Sequence, residues 1–167
     1  MNKELFSESQ RFRQSWMWLL IITINGLVSY KLYKQILQQT LNINTIFPIG
    51  IMLLVTFLLI SLRLDTLIKE DGIYVRFFPF HLKYKHYNWN NIKQLYVRKY
   101  NPISEYGGWG IRYGLFGKGM AYNVSGNMGL QIVFNNDKKL LIGTKKPEEL
   151  KYTLNKLGQL QKELVKH

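Results

Sequence analysis

The chain has 167 residues, a net charge of +13 and no cysteine. This length suffices for one domain plus a short additional segment. Because cysteine is absent, disulfides, thiolate metal sites and cysteine nucleophiles are excluded.

The N-terminal third contains two uncharged runs, Trp16–Tyr30 and Ile46–Leu62, which follow a short polar segment at residues 1–14. A helix of 17 residues spans roughly 25 Å, close to the ~30 Å hydrocarbon core of a bilayer. The sequence therefore predicts a transmembrane helical hairpin over residues 15–63, with helices at about 15–34 and 46–63. A cleaved signal peptide is the competing interpretation, but no small-x-small site follows Tyr30 and a second apolar run does.

Three residues in the predicted hairpin have a predicted structural role. Asn25 is expected to hydrogen-bond to the partner helix, and Gly26 is expected to let the two backbones approach. Pro48 is expected in the first turn of the second helix, where its missing N–H costs little. Basic residues accumulate after the second helix, which favours cytoplasmic termini in an integral protein of a bacterial inner (plasma) membrane.

Residues 64–167 change to a period of two with recurrent turn signals, which predicts a domain built mainly of strands. The turn Glu70-Asp71-Gly72 predicts a hairpin, and Ile73, Val75 and Phe77 are expected to share its buried face. The predicted strands are 64–69, 73–78, 82–87, 92–100, 110–113, 120–124, 130–134 and 140–143.

An amphipathic helix is predicted at about 147–165, because Leu150, Leu154, Leu157 and Leu164 recur at helical spacing after Pro147. Strands in series followed by one helix indicate an α+β fold: an antiparallel sheet or partly open barrel closed by a C-terminal helix.

This layout resembles uncharacterised bacterial membrane proteins with a two-helix anchor and a pleckstrin-homology-like (PH-like) domain. The resemblance is carried by the segments LDTLIKEDGIYVRFFPF, WNNIKQLYVRKYNP, EYGGWGIRYG, GKGMAYNVSGNMGL and LLIGTKKPEEL. It implies a bent seven-stranded sheet closed at one end by a C-terminal helix. It implies no function.

The glycine-rich stretch Asn101–Gly129 does not match the nucleotide-binding or hydrolase motifs. Gly117-Lys118 is followed by Gly119 rather than Ser or Thr, and Gly108-x-Gly110 is followed by Tyr113 where a dinucleotide fingerprint needs Gly. Ser125 lacks the flanking glycines of a nucleophile elbow. His81 and His86 point to opposite faces of a strand, so we expect no metal and no cofactor.

Basic and aromatic residues interleave in and beside this stretch. Such groups, together with glycine N–H groups, form sites for a phosphate headgroup. The candidate binding residues are Arg98, Lys99, Tyr106, Trp109, Arg112 and Lys118. The competing interpretation, which is favoured, is that the glycines make turns and the aromatic rings fill the core. Glu105 is either a salt-bridge partner of Arg112 or Arg98, or a catalytic acid that lacks a base.

Residues 63–167 contain eighteen Lys or Arg residues against eight acidic ones. Beside a membrane, such charge favours anionic lipid headgroups, and nucleic acid is the less favoured partner. The alternative is that the charge only holds the domain on the cytoplasmic side. The segment Phe77-Phe78-Pro79-Phe80 is a candidate for contact with the bilayer surface, although core packing is favoured for Phe77.

Our first functional hypothesis is a membrane-anchored, non-catalytic module that presents a basic PH-like domain for protein or anionic-lipid binding. The alternatives are a structural subunit that assembles with other membrane proteins, and an enzyme that acts on a membrane-proximal substrate through residues 105–118.

Overall fold

The computed structural model of the chain describes residues 3–12, 14–40, 43–114 and 117–160. It divides into two compact units. The helical unit is the continuous segment Phe12–Leu62. The sheet unit combines the residues up to Arg11 with those from Arg63 onward. The fold class is α+β, with one antiparallel and one mixed sheet.

The helical unit contains α1 (Ser15–Leu37) and α2 (Ile43–Ser61). The Asn25 side-chain amide donates to Thr56 Oγ1 at 3.3 Å, so the predicted hydrogen bond between the helices is confirmed. The expectation for Gly26 was wrong, since no atom lies within 4 Å of a Cβ built there. Pro48 lies inside α2 rather than in its first turn, because the helix begins at Ile43.

Of the described helices, only α1 is both long and apolar enough to cross a membrane. The apolar part of α2, Ile46–Ser61, is shorter. A helix of the predicted length and apolar character is thus found for α1, while its crossing of a membrane and the two-helix membrane hairpin stay proposals.

The first sheet of the sheet unit has the order β1-β2-β3-β4 and is antiparallel throughout. The predicted hairpin is confirmed, as β2 pairs with β3 across Glu70 and Asp71. Ile73, Val75 and Phe77 are buried together as expected. The strands are β1 (Glu4–Arg11), β2 (Arg63–Lys69), β3 (Gly72–Phe78) and β4 (Lys85–Asn88).

Strand β1 corrects the prediction that residues 1–14 form a separate polar segment. Its inward residues Phe6, Glu8 and Gln10 are buried, and two of these three are polar, so no apolar alternation marks the strand. The Glu8 carboxylate accepts hydrogen bonds from Thr144 Oγ1 at 2.6 Å and from the Lys145 N–H at 2.8 Å. Residues far along the sequence therefore hold β1 in the sheet.

The helical unit is inserted where a hairpin turn would otherwise join β1 to β2. These neighbouring strands are antiparallel, and Arg11 on β1 lies opposite Arg63 on β2. The chain leaves the sheet unit after Arg11 and re-enters it at Arg63. Both connections therefore lie at one end of the four-stranded sheet.

The predicted strand at residues 82–87 is shorter than expected, because β4 begins at Lys85. Pairing with β3 runs only from Val75 opposite Lys85 to Gly72 opposite Asn88. Pro79 cannot donate a backbone hydrogen bond, and the chain leaves the sheet there. Residues 79–84 form a loop, hereafter the β3–β4 loop.

The second sheet has the order β5-β8-β9-β7-β6. Strand β9 lies between β8 and β7 and pairs with β7 in parallel, so the prediction of a purely antiparallel sheet was wrong at this pair. Two sheets of four and five strands also exceed the seven strands that the resemblance implied. The strands are β5 (Ile92–Lys99), β6 (Gly110–Gly114), β7 (Gly119–Asn123), β8 (Met128–Phe134) and β9 (Lys139–Gly143).

Two helices complete the sheet unit. The short α3 (Pro102–Tyr106) was not predicted, since its sequence was assigned to a loop. The C-terminal helix α4 (Pro147–Lys156) buries Leu150 and Leu154 as expected. It ends earlier than the predicted residue 165, with Gly158 in the left-handed region at φ +67°. Leu164 lies outside the described residues.

Candidate functional site

Helix α3 positions the acidic residue of the glycine-rich stretch. Asn101 caps the helix, because its side-chain oxygen accepts hydrogen bonds from the N–H groups of Ile103 and Ser104, both at 3.1 Å. Pro102 occupies the first turn, and Gly107 ends the helix at φ +70°. The helix therefore holds Glu105 beside the end of β5.

Arg98 and Glu105 form a two-point ion pair. Arg98 Nη2 lies 2.8 Å from Glu105 Oε2, and Arg98 Nη1 lies 3.2 Å from Glu105 Oε1. Each side chain is 17% exposed. Of the two partners considered for Glu105, Arg98 is confirmed. Arg98 also donates from Nε to Gln131 Oε1 at 3.0 Å. Its donors are thus used within the protein.

The surroundings of Glu105 keep it ionised. Burial alone would raise its pKa. Hydrogen bonds from Arg98 and from the Asn101 N–H, with the positive charges of Arg98 and Lys118, outweigh burial and lower the pKa below 4.5. A general acid needs the opposite shift, since it must carry a proton near neutral pH.

Tyr106 and Lys118 border the same pair. The Tyr106 hydroxyl accepts a hydrogen bond from Arg98 Nη2 at 3.3 Å, and its ring meets Tyr100 edge-on with the centroids 6.0 Å apart. Burial raises the pKa of Tyr106, and it raises the pKa of Tyr100 to about 12. Lys118 Nζ lies 3.9 Å from Glu105 Oε2 and its side chain is half exposed.

The remaining candidate residues lie apart from this cluster. Arg112 Nε donates to the Trp109 carbonyl at 3.0 Å, and Trp109 Nε1 donates to the Gly126 carbonyl at 3.3 Å. Lys99 is exposed, and only its carbonyl contacts Arg98. The structure therefore brings Arg98, Tyr106 and Lys118 together around Glu105, and separately joins Trp109 to Arg112.

This arrangement limits what the candidate site can bind. A phosphate that reached Arg98 would have to displace Glu105. Lys99, Arg112 and Lys118 are the candidate cations that remain exposed. Anion binding at these three residues stays a prediction, while Arg98 is better described as a structural cross-link between β5 and α3.

Gly119 supports the interpretation of the glycines as structural. Its φ is +81°, and a Cβ at this position would collide with the Lys139 carbonyl on neighbouring β9. Only glycine allows this approach of the two backbones. At this position glycine serves sheet geometry rather than a ligand.

The β3–β4 loop is a second candidate surface, and most of it was missed because Leu82–Tyr84 alternate like a strand. The loop is anchored at three points. His81 N–H donates to the Phe77 carbonyl at 2.8 Å, and the Tyr84 ring lies 4.6 Å from the Arg76 guanidinium. Just beyond the loop, Lys85 Nζ donates to the Tyr122 hydroxyl at 3.1 Å.

Three other side chains of this loop are largely exposed, although the Phe80 ring also lies 6.3 Å from the Phe77 ring, centroid to centroid. Phe80 is 65% exposed and Leu82 is 73% exposed. Lys83 between them and β4 is exposed as well. Phe77 at the base of the loop is 1% exposed, so its predicted place in the core is confirmed. The signal available in the sequence was the density of large apolar residues in FFPFHL.

Within the described ranges, no three His, Asp or Glu side chains gather as a metal-binding group. No protein-family model, curated protein or solved structure matches the chain.

Proposed function

We propose that this protein is a membrane-anchored, non-catalytic module whose basic, PH-like sheet unit acts at the cytoplasmic face of a bacterial inner membrane. The observation that carries the proposal is the insertion of an apolar helical unit between Arg11 and Arg63, which are opposite each other in neighbouring strands. The sheet unit presents its charge to anionic lipid or to a protein in the same membrane.

The role of β1 supports an anchor that is kept rather than cleaved. Cleavage after α1 would separate β1 from the rest of the sheet unit. The buried Glu8 and Gln10 then could not bond Thr144, Lys145 and Gly143. A signal peptide has no such role in the mature fold.

The helical unit supports a membrane location. Among the described residues, most of the large apolar side chains that are exposed lie along its two helices, for example Leu19, Ile22, Leu53 and Phe57. Exposed apolar surface of this extent marks contact with a membrane or with another protein. Contact with another protein would correspond to the alternative function, a structural subunit that assembles through its helices.

The charge balance supports a partner with negative charge. Among the described residues, Lys83, Lys99, Lys138, Lys139, Lys145 and Lys156 are exposed and have no carboxylate within ion-pair distance. The pairing of Glu105 with Arg98 supports a non-catalytic role, since this carboxylate is not free to transfer a proton.

The topology is tested with single cysteines, which are unambiguous because the chain has none. Gln39→Cys, after α1, and Glu70→Cys, in the β2–β3 turn, are labelled in intact spheroplasts with a membrane-impermeant maleimide. We expect label on Gln39→Cys only, and on both after lysis. Label on Glu70→Cys in intact spheroplasts would overturn the cytoplasmic placement, and label on both would overturn the hairpin.

The partner is tested by crosslinking and affinity capture of the full-length protein from its own membrane. The variant Lys99→Glu/Arg112→Glu/Lys118→Glu is compared with Lys138→Glu/Lys139→Glu, which changes charge at the β8–β9 turn. Loss of capture in the first variant alone supports a protein site at the predicted residues. Equal capture by both variants and the wild type would place the contact on the helices, as the alternative function requires.

A further inference from the structure

We infer that the β3–β4 loop is a membrane-surface contact that inserts Phe80 and Leu82 among the headgroups of an anionic leaflet. The inference deepens the proposed function and rests on its membrane anchor. It concerns residues outside the predicted candidate site.

The loop is organised to present its apolar side chains. His81 turns inward, where its ring meets the Tyr122 ring edge-on with the centroids 5.4 Å apart. Tyr84 is held over Arg76, whose guanidinium bonds Asp65. Between these anchors, Leu82 is largely exposed, and Phe80 stays mostly exposed although its ring lies 6.3 Å from the Phe77 ring, centroid to centroid. Insertion therefore requires little ordering of the backbone, which reduces the entropic cost of binding.

The loop follows the end of the sheet at which the chain enters and leaves the helical unit. Phe78, the last residue of β3, lies opposite Arg63, the first residue of β2. Only Leu62 separates Arg63 from the last residue of α2, and three residues separate Arg11 from α1. At ~3.3–3.6 Å per residue, these connections span at most about 7 and 14 Å. If α1 and α2 cross the bilayer, these short connections limit how far Arg11 and Arg63 can lie from its surface.

The charges at this end favour an anionic surface. Asp65 is the carboxylate partner of both Arg63, at 3.0 Å, and Arg76, at 2.7 Å, so the three side chains keep a net positive charge. Lys83 adds an exposed ammonium group. Apolar side chains flanked by Lys and Arg are the composition that binds the headgroup region of anionic membranes.

The experiment uses the full-length protein in vesicles. Leu82→Cys carries an environment-sensitive NBD fluorophore, and Glu70→Cys carries the same label as a matched control. Glu70 is exposed at the opposite end of the β2–β3 hairpin, about 20 Å away at ~3.3 Å per residue. Neutral vesicles contain phosphatidylcholine alone, and anionic vesicles also contain about 30 mol % phosphatidylglycerol. Each type is prepared with and without a doxyl-lipid quencher.

In anionic vesicles we expect a blue-shifted NBD emission and at least about threefold stronger quenching for Leu82→Cys than for Glu70→Cys, because the headgroup region is less polar than water. Lys83→Glu in the Leu82→Cys background should reduce the quenching at least twofold, since it replaces attraction to the surface by repulsion. Lys138→Glu, at the β8–β9 turn, should leave the quenching unchanged.

Equal quenching at the two labelled positions in anionic vesicles would overturn the inference. Equal quenching of Leu82→Cys in neutral and anionic vesicles would overturn the role of charge. Protection of Leu82→Cys from maleimide in native membranes, without quenching in vesicles, would identify a protein partner and overturn the lipid contact. Failure of the anchor is distinguishable, because it changes the Gln39→Cys and Glu70→Cys labelling. Failure of the loop contact alone leaves that labelling as expected and removes only the difference in fluorescence.

Discussion

The Arg98–Glu105 cluster and the β3–β4 loop are both rich in basic and aromatic residues, yet the fold treats them in opposite ways. In the cluster, Arg98 is bonded to Glu105 and Gln131, and Tyr106 is buried against Tyr100. In the loop, Phe80 and Leu82 remain more than half exposed. In the first region the charged and aromatic groups bond to each other, whereas in the second the apolar side chains stay exposed to solvent.

The difference shows why composition alone does not locate a binding surface. A cationic side chain is available to a ligand only when no carboxylate within the protein forms an ion pair with it. Glu105 neutralises the charge of Arg98 in this way. Asp65 neutralises only part of the charge beside it, because the guanidinium groups of Arg63 and Arg76 share this one carboxylate. Apolar exposure adjacent to shared or unpaired positive charge is therefore the more informative feature.

Both regions depend on an intact sheet unit, and removal of β1 should destabilise that unit more than any other change considered below. A variant that begins at Leu64 should lose cooperative unfolding, since Thr144 and the Lys145 N–H lose their partner Glu8. A variant in which Asn-Gly replaces Phe12–Leu62 should unfold cooperatively, because Arg11 and Arg63 are already opposite each other. Urea unfolding followed by tryptophan fluorescence distinguishes the two, and equal behaviour would contradict the role of β1.

The loop itself offers the next largest contrast in stability. Phe77→Ala should lower the free energy of unfolding by about 3–5 kcal/mol, because it removes a buried ring. Leu82→Ser, five residues further on, should change it by less than about 0.5 kcal/mol, because that side chain is exposed. Both are measured by urea unfolding of the Asn-Gly variant. A large loss with Leu82→Ser would mean that Leu82 is buried within the protein and is not free to insert.

A smaller effect is expected for the cluster. Glu105→Ala should destabilise the sheet unit by roughly 2–3 kcal/mol, because Arg98 and the Asn101 N–H lose charged hydrogen-bond partners. The control Lys99→Ala removes a neighbouring exposed side chain and should change stability by less than about 0.5 kcal/mol. If the two variants were equally stable, the ion pair would not be a structural cross-link, and a ligand role for Arg98 would regain support.

The smallest expected effects are on the pH dependence of stability, which should differ between the loop and the cluster. Burial, followed by the charge of Lys85, lowers the pKa of His81 from its ordinary value of 6.5. Below pH 6.5, His81 becomes protonated in the unfolded chain but stays neutral in the folded loop. Stability should therefore fall as the pH drops from 6.5 toward the lowered pKa of His81. His81→Gln should flatten this part of a plot of the urea midpoint against pH.

Glu105 should act in a different range. Its folded pKa lies below 4.5, so its contribution is complete above pH 4.5 and is lost as the pH falls through the lowered pKa. Glu105→Gln should flatten the acid end of the same plot and leave the range near pH 6 unchanged. If His81→Gln and Glu105→Gln changed the urea midpoint over the same pH range, the different environments assigned to these two side chains would be contradicted.

Much of the sheet unit could be predicted because its strands are apolar runs bounded by turn residues, although β3 alternates in burial whereas β8 and β9 are buried at nearly every position. The β2–β3 hairpin, β8 and β9 follow local patterns of apolar residues and turn residues, and Ile73, Val75 and Phe77 are buried as expected. The candidate site was predicted only as a composition. Its six residues divide between two groups of contacts and an exposed lysine, and no local pattern distinguishes these cases.

By itself, the sequence determined the two apolar helices, the central hairpin and most strands, because local periodicity specifies which face of an element avoids water. Only the tertiary structure decided that β1 joins the sheet, that β9 lies between β8 and β7, and that Glu105 takes Arg98 rather than Arg112. Partners such as Glu8 and Thr144 are separated by most of the chain. Periodicity carries no information about which distant group will satisfy a buried charge, so that choice is made only when the sheets assemble.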